Sequence, residues 1–155
     1  MLEVSSLNQN KHVHHESINS STSSELNDII GYTTVYVDML LTCSKHRVNY
    51  QQRLLPPLKK FIKYLYLQSK LSHSVLIVAL IYLERLKCCL PDHSQGEFDT
   101  PYKMLIAAII LASKFIEDHN TITRSIYNLL SPLYNKADIN EMEKSFLAVI
   151  KFSRV

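Results

Sequence analysis

From residue 28 onward the apolar residues of this chain recur at helical spacing. Ile29, Tyr32, Val35, Tyr36, Met39 and Leu40 predict a first helix over Asp28 to Cys43. A loop over Ser44 to Leu55 follows, and Pro56-Pro57 suit the first turn of the next helix. There Leu58, Phe61, Ile62, Leu65 and Tyr66 build an apolar stripe that leaves Lys59 and Lys63 outward. Ser72 or Ser74 can cap a third helix, Val75 to about Cys89, whose apolar residues go all the way round and so predict burial. After a polar loop, Pro91 to Phe98, Thr100-Pro101 reads as an N-cap followed by proline at the first helical position. The helix it opens, Tyr102 to Glu117, is apolar on every side from Met104 to Ala112, and Ala107, Ala108 and Ala112 permit close helix approach. A shorter helix, roughly Thr123 to Leu133, follows a break at Asp118 to Asn120. Asp138 with Glu141 three residues on is a capping-box variant that opens the last helix, to about Phe152. Two buried helices wrapped by amphipathic ones make an all-α bundle rather than a long coiled coil.

Composition narrows this further. With 155 residues there is room for one domain, and the two glycines, Gly31 and Gly96, are too few for the many turns of a sandwich, barrel or doubly wound sheet. Residues 1–25 read as a disordered tail, with six Ser/Thr between Ser17 and Ser24 and too little apolar area to offset the entropy of ordering. Residues 28–155 read as the single folded domain. No signal-peptide core stands in the tail, and the longest uncharged apolar run, the nine residues Val75 to Leu83, cannot span a bilayer. Cys43, Cys88 and Cys89 lack disulfide or metal spacing, so they are expected reduced and buried, in a cytosolic or nuclear protein.

The net charge of +3 is too small to imply nucleic-acid binding, but its distribution is uneven. Between Asp38 and Glu84 there is no acid, against seven bases: Lys45, Arg47, Arg53, Lys59, Lys60, Lys63 and Lys70. This is either a solvated helix face or a patch for an acidic partner or phosphate group. Catalytic signatures are missing: no phosphate-cradling glycine loop, no G-x-S-x-G, no H-E-x-x-H and no C-x-x-C. His12, His14 and His15 cluster in the tail, where solvated polarity explains them without a metal. No catalytic residue, metal or cofactor is therefore expected.

Three charges do stand out by their apolar surroundings. Glu143 has Ile139, Phe146, Leu147 and Ile150 one or two turns away, Lys114 ends the buried run beside Phe115, and Glu84 sits one turn past Leu80 and Ile81. A buried charge must pair or meet a polar partner. Two arrangements satisfy that condition. One is ion pairs inside the bundle, Lys114 with Glu143 or Lys114 with Asp118; the other is a charged pair set in an exposed apolar patch that orients a protein–protein interface.

The segment Ile109-Ile110-Leu111-Ala112-Ser113-Lys114-Phe115-Ile116-Glu117-Asp118 resembles the central helix of the cyclin box. Upstream, Ile81-Tyr82-Leu83-Glu84-Arg85-Leu86 is similar to that box's second helix, and Met142 to Phe152 (MEKSFLAVIKF) to its fifth. Pro57-Leu58-x-x-Phe61-Ile62 and Thr100-Pro101-Tyr102-Lys103 give the closest resemblance to the fungal Pcl-type, phosphate-pathway cyclins. The resemblance covers about Asp28 to Val155 and implies a five-helix cyclin-box bundle with an additional N-terminal helix. It also implies a function without catalysis: binding and activating a cyclin-dependent protein kinase and directing its substrate choice, with no small-molecule substrate and no membrane. Residues matching Lys114 and Glu143 would bond the kinase backbone, and those matching Phe115, Leu147 and Phe152 would pack against its regulatory helix. Glu84 takes the place of the family's structural acid, which pairs with an Arg on the first box helix; here that helix offers Lys59, Lys60 and Lys63 instead. The sequence stops at Val155, just after the fifth box helix, which reads as a minimal or a truncated box. The alternatives are a cyclin-box adaptor that binds other proteins or nucleic acid through the basic 45–70 segment, and a truncated cyclin unable to activate a kinase.

Overall fold

The computed structural model describes residues 22–117 and 120–152, the side chain of Phe152 excepted. The histidine cluster and the serine-rich run up to residue 21, the Asp118-His119 dipeptide and the last three residues lie outside the described part, whereas residues 22–25, expected in the disordered tail, are helical. What is described is helical, as the spacing predicts, with one very small sheet.

Helix α1 covers 22–38, starting and ending earlier than expected. Its inward face is Ile30, Thr33 and Val37, with Leu40 just beyond its end, whereas the expected core residues Tyr32, Val35 and Met39 are exposed. The two threonines satisfy their hydroxyls within the helix, Thr33 donating to the Ile29 carbonyl and Thr34 to that of Ile30, both at 2.7 Å. The stretch assigned to the end of this helix instead forms strand β1, Thr42–Cys43, paired in parallel with β2, Gln95–Gly96. Backbone groups of two loops satisfy each other there, a long-range pairing that helical periodicity does not report. Gly96 is needed at that point because a Cβ would lie 2.9 Å from the Thr100 side chain.

The presumed loop before Leu55 contains a short helix, α2, Tyr50–Leu54. Asn49 caps it by accepting from the Gln52 amide at 2.8 Å, while Gln52 Oε1 reaches back to the Val48 amide at 2.7 Å. Helix α3, Leu58–Gln68, buries Phe61, Ile62, Leu65 and Tyr66 as its stripe predicts. Helix α4, His73–Cys89, is capped by Ser72, which accepts from the Val75 amide at 3.2 Å. It is not buried all round: Ile77 and Ile81 are about half exposed. One side of the helix meets α5 and α7, and Tyr36 of α1 lies near Glu84 and Cys88. No disulfide joins the cysteines, and none is fully buried as expected: Cys43 and Cys89 are half-buried and Cys88 is exposed.

Helix α5, Thr100–Ile116, is the centre of the bundle and packs against α4, α6 and α7. Leu105 to Ile110 are all buried, and so is Ala112; the small side chains let the neighbouring helices come close. Thr100 is not the cap. Its hydroxyl accepts from the Glu97 amide at 2.9 Å, and Asp99 occupies the cap position without a side-chain bond to the helix. Helix α6, Thr121–Leu130, leads to a turn and then to α7, Lys136–Phe152. The capping box that opens α7 lies three residues before the expected one. The Asn135 side chain accepts from the Asp138 amide at 2.8 Å, and Asp138 accepts from the Asn135 amide at 3.1 Å. Helices α3 to α7 are the five of the expected box, and α1 is the additional N-terminal helix.

Candidate functional site

The apolar run of α5 ends at Ser113, whose hydroxyl donates to the Ile109 carbonyl at 2.7 Å and so stays inside the bundle. The next residue, Lys114, stands in the last turn, where the helix dipole favours a cation. From there its Nζ reaches across to α7 and donates to both carboxylate oxygens of Glu143, at 2.8 and 3.0 Å. Lys114 is 43% exposed and Glu143 13%, so the acid is the inner partner and the base reaches solvent. Of the two pairings left open for Lys114, the one with Glu143 is formed, and the other falls on Asp118, a residue outside the described part.

Beside the pair, Phe115 is 73% exposed and Ile116 is also at the surface. Leu147, one turn after Glu143 on α7, is half-buried. Phe152 belongs to the last turn of α7, with its side chain outside the described part. The structure thus brings Lys114, Phe115, Glu143 and Leu147 to the junction of α5 and α7. A fixed charged pair there adjoins a large apolar side chain with little to cover it.

Glu84 stands apart from this group. It is exposed and forms no ion pair among the described residues, and none of Lys59, Lys60 and Lys63 reaches it. Its neighbour is Tyr36 on α1, whose buried hydroxyl has no hydrogen-bond partner. Burial, and then the Glu84 charge, push the Tyr36 hydroxyl above its ordinary range.

Sequence reasoning missed a second charged cluster. Asp99 is 2% exposed, and three groups from separate elements converge on it. Gln52 Nε2 of α2 lies at 3.3 Å, the Tyr134 hydroxyl at 3.3 Å and Lys103 Nζ of α5 at 3.4 Å. Burial, then the Asp99 carboxylate, hold the Tyr134 hydroxyl far above its ordinary value. An acid directly before a helix-opening Thr-Pro was the available signal, since a helix N-terminus attracts anions. Lys103 lies four positions on, but Gln52 and Tyr134, 47 and 35 positions away, left no local pattern.

The basic stretch divides on inspection. Arg47 Nη1 donates to the carbonyls of Gln52, Arg53 and Leu55 at 3.1, 3.2 and 2.7 Å, closing the end of α2, and its guanidinium lies 4.5 Å from the Phe98 ring centre. Lys45 lies 3.9 Å from Asp38. The remaining bases are exposed and unpaired among the described residues. Elsewhere a groove of about 380 Å³ runs between α4, α5 and α7 past Leu86, Leu90, Met104, Met142 and Phe146, and it includes none of the expected site residues. Among the described residues no group of His, Cys, Asp and Glu is placed to hold a metal, and no helix is long and apolar enough to cross a membrane.

The family profile described as "Cyclin, N-terminal domain" matches residues 39–154. The chain belongs to that family. It is similar to three cyclins of Saccharomyces cerevisiae. PHO85 cyclin-1 is 30% identical over 98 residues, covering 63% of this chain and 35% of the relative. PHO85 cyclin-2 is 26% identical over 92 residues (59% and 30%), and PHO85 cyclin-9 is 25% identical over 97 (63% and 32%). The chain therefore spans about a third of the length of these curated relatives. No solved structure matches it significantly. The Pcl-type resemblance read from Pro57-Leu58 and Thr100-Pro101 agrees with these relatives, and the bundle of α3 to α7 agrees with the cyclin box.

Proposed function

We propose that this cyclin-family chain is the regulatory subunit of a cyclin-dependent protein kinase, without catalytic activity of its own, and that it docks through the junction of α5 and α7. The observation that carries the proposal is Phe115, 73% exposed beside the bidentate Lys114–Glu143 pair. Burying a phenylalanine against a partner is worth about 1.5–3 kcal/mol, an inducement that solvent does not provide. The ion pair supplies what an apolar patch lacks, a fixed set of donors and acceptors that selects one orientation of the partner. Lys114 retains donor capacity toward solvent and Glu143 spare lone pairs, so the pair can bond a partner's backbone without breaking.

Activation then follows from differential binding. If the surface at Phe115 and Leu147 fits the inward position of the kinase's regulatory helix, binding shifts the kinase toward the arrangement in which its catalytic Lys–Glu pair forms. The membership of the family and the similarity to PHO85 cyclins support this reading. So does the partner-free apolar surface at the site.

The test is a pull-down of the tagged chain from a fungal lysate, with mass spectrometry and a kinase assay on the eluate. Wild type and the Lys114→Ala/Glu143→Ala double variant run side by side. Recovery of an active cyclin-dependent kinase with the wild type, and its loss with a folded double variant, is the expected result. A folded wild type that recovers no kinase sinks the function, and equal recovery by the double variant moves the interface elsewhere.

A further inference from the structure

The groove between α4, α5 and α7 is lined by apolar side chains that no described residue covers. Leu86 and Phe146 are its buried members, and Leu90, Met104, Met142 and Val149 line it half-buried. Protein interiors are close-packed, so a hollow of about 380 Å³ forfeits contacts that its walls would otherwise make. The two methionines give it an adaptable lining, suited to receiving a peptide. Its rim is charged with both signs. Lys103 stands on the α5 side, 3.4 Å from Asp99, and Asp138 and Glu141 stand on the α7 side with no basic partner among the described residues.

Residues 1–21 of the chain itself carry the matching chemistry. Leu2, Val4 and Leu7 are apolar, Glu3 stands among them, and Lys11, His12, His14 and His15 follow. That order suits the rim, with an acid inside the apolar group for Lys103 and a base beyond it for Glu141. The reach is also right. Tyr36 lies near Glu84 and Cys88, in the last turns of α4, which also give Leu86 and Leu90 to the groove. Thr22 stands about 20 Å back along α1 from Tyr36. A coil as long as residues 8–21 averages about 20 Å end to end and reaches about 45 Å at full stretch. Tethering at that length gives an effective concentration on the order of millimolar, so even weak contacts suffice to fill the groove.

We propose that the chain's own N-terminal segment, Met1 to Leu7, seats in the groove between α4, α5 and α7, with Leu2, Val4 and Leu7 against Met104, Met142 and Phe146 and with Lys11 beside Glu141. The apolar side chains supply the attraction, and the two opposed charges set the direction in which the segment lies. Seated there, it straps together α5 and α7, the two helices that carry Lys114 and Glu143. The groove shares no residue with that pair, so the proposal goes beyond the kinase reading and stands or falls separately.

The experiment uses the full chain with isotope-labelled methionine methyl groups, read by two-dimensional NMR. Met104 and Met142 line the groove, and Met39, 71% exposed and outside it, is the internal control. Leu2→Ser/Val4→Ser/Leu7→Ser alters the segment and leaves the bundle's own residues in place. It is expected to shift the Met104 and Met142 signals and not that of Met39. A synthetic peptide of residues 1–15, added to this variant at about 1 mM, should return both signals to their wild-type positions, and a scrambled peptide should not. Adding Glu141→Lys to the same variant should weaken the peptide by up to about fivefold. Identical Met104 and Met142 signals in wild type and variant would overturn the proposal, and so would a Met39 signal that moves with them. Equal restoration by the scrambled peptide would reduce the groove to a non-specific apolar surface, and an unaltered titration in Glu141→Lys would overturn the placing of the segment. Wild-type signals that move on dilution would give the groove to a second copy of the chain, which also sinks the idea.

Discussion

Two charged clusters in this molecule differ in how fully the fold surrounds the acid, Asp99 at 2% exposed and Glu143 at 13%, and they do different work. Around Asp99, a carboxylate 2% exposed gathers Gln52, Lys103 and Tyr134 from three parts of the chain, and every partner belongs to the domain itself. Around Lys114 and Glu143, two groups pair at 2.8 Å near the surface, and the large apolar side chain beside them is covered by nothing in the described chain. The first cluster is closed and ties elements together. The second is open, and its energy is still to be realised in a partner. Burial decides the difference: a buried carboxylate must find all its partners within the fold, whereas a rim pair contributes little to stability and remains free to bond elsewhere.

The sharpest way to break the comparison is to remove the closed cluster. Asp99→Ala would leave the Gln52 amide and the Tyr134 hydroxyl without their acceptor in a dry place. We expect a loss of roughly 2–3 kcal/mol, at the modest end for a buried carboxylate because its contacts of 3.3–3.4 Å are long. Urea unfolding measures it. Asp99→Asn, which keeps shape and one acceptor, should cost less. If Asp99→Ala unfolds at the wild-type midpoint, the cluster does not tie the elements.

The next effect is on pH. Burial, then Asp99, raise the folded-state value of Tyr134 above its ordinary 10.0, so folding favours the protonated hydroxyl. The sign follows: this contribution is fully present below pH 10 and is lost as pH rises from there toward the folded-state value. Tyr36, Tyr66 and Tyr102 are shifted in the same direction, each chiefly by burial. Thermal unfolding should therefore fall steeply above about pH 10, and Tyr134→Phe should soften the fall. A Tyr134→Phe chain with an unaltered alkaline limb would remove Tyr134 from the account.

The two clusters also differ in how readable they were. Glu143 announced itself because it interrupts an apolar stripe, and Lys114 because it ends an apolar run; both signals lie within two helical turns. Asp99 sits between a loop and a helix start, and only the tertiary fold brings it to Gln52 and Tyr134. The same division runs through the fold. Helices α3, α4 and α5 were legible because their apolar periodicity is local. The small sheet was not, because Thr42–Cys43 meets Gln95–Gly96 far along the chain. Helix α2 did leave a signal, Asn49 with Gln52 three residues on, but five residues are too few for periodicity to show. Exposure misled in the other direction. The all-round apolar pattern of α4 predicts burial, yet Ile77 and Ile81 face outward, since composition alone does not say which side finds a neighbour.

Opening the second cluster should cost the fold much less. Lys114→Ala is expected to lower stability by less than about 1 kcal/mol, as for other partly exposed pairs, while abolishing or strongly weakening kinase recovery. A loss as large as that of Asp99→Ala would assign the pair to the interior and leave the interface reading without support.

The smallest effect on stability, and the most telling for function, belongs to Phe115. At 73% exposed it contributes little burial to the domain, so truncation removes almost no apolar contact. Phe115→Ala should leave the unfolding midpoint within about 0.5 kcal/mol of wild type, the range of an ordinary surface change. A partner that buries the ring would register the change quite differently. Aromatic anchors at interface centres commonly cost about 2 kcal/mol or more when truncated, which is roughly thirtyfold in affinity. The prediction is thus a dissociation between two measurements on one variant, an unchanged melt and a greatly weakened kinase complex. A melt that falls as far as the affinity would mean that Phe115 belongs to the closed kind of cluster after all. An unchanged affinity would mean that the ring faces solvent in the complex too, and the docking surface would have to be sought away from the end of α5.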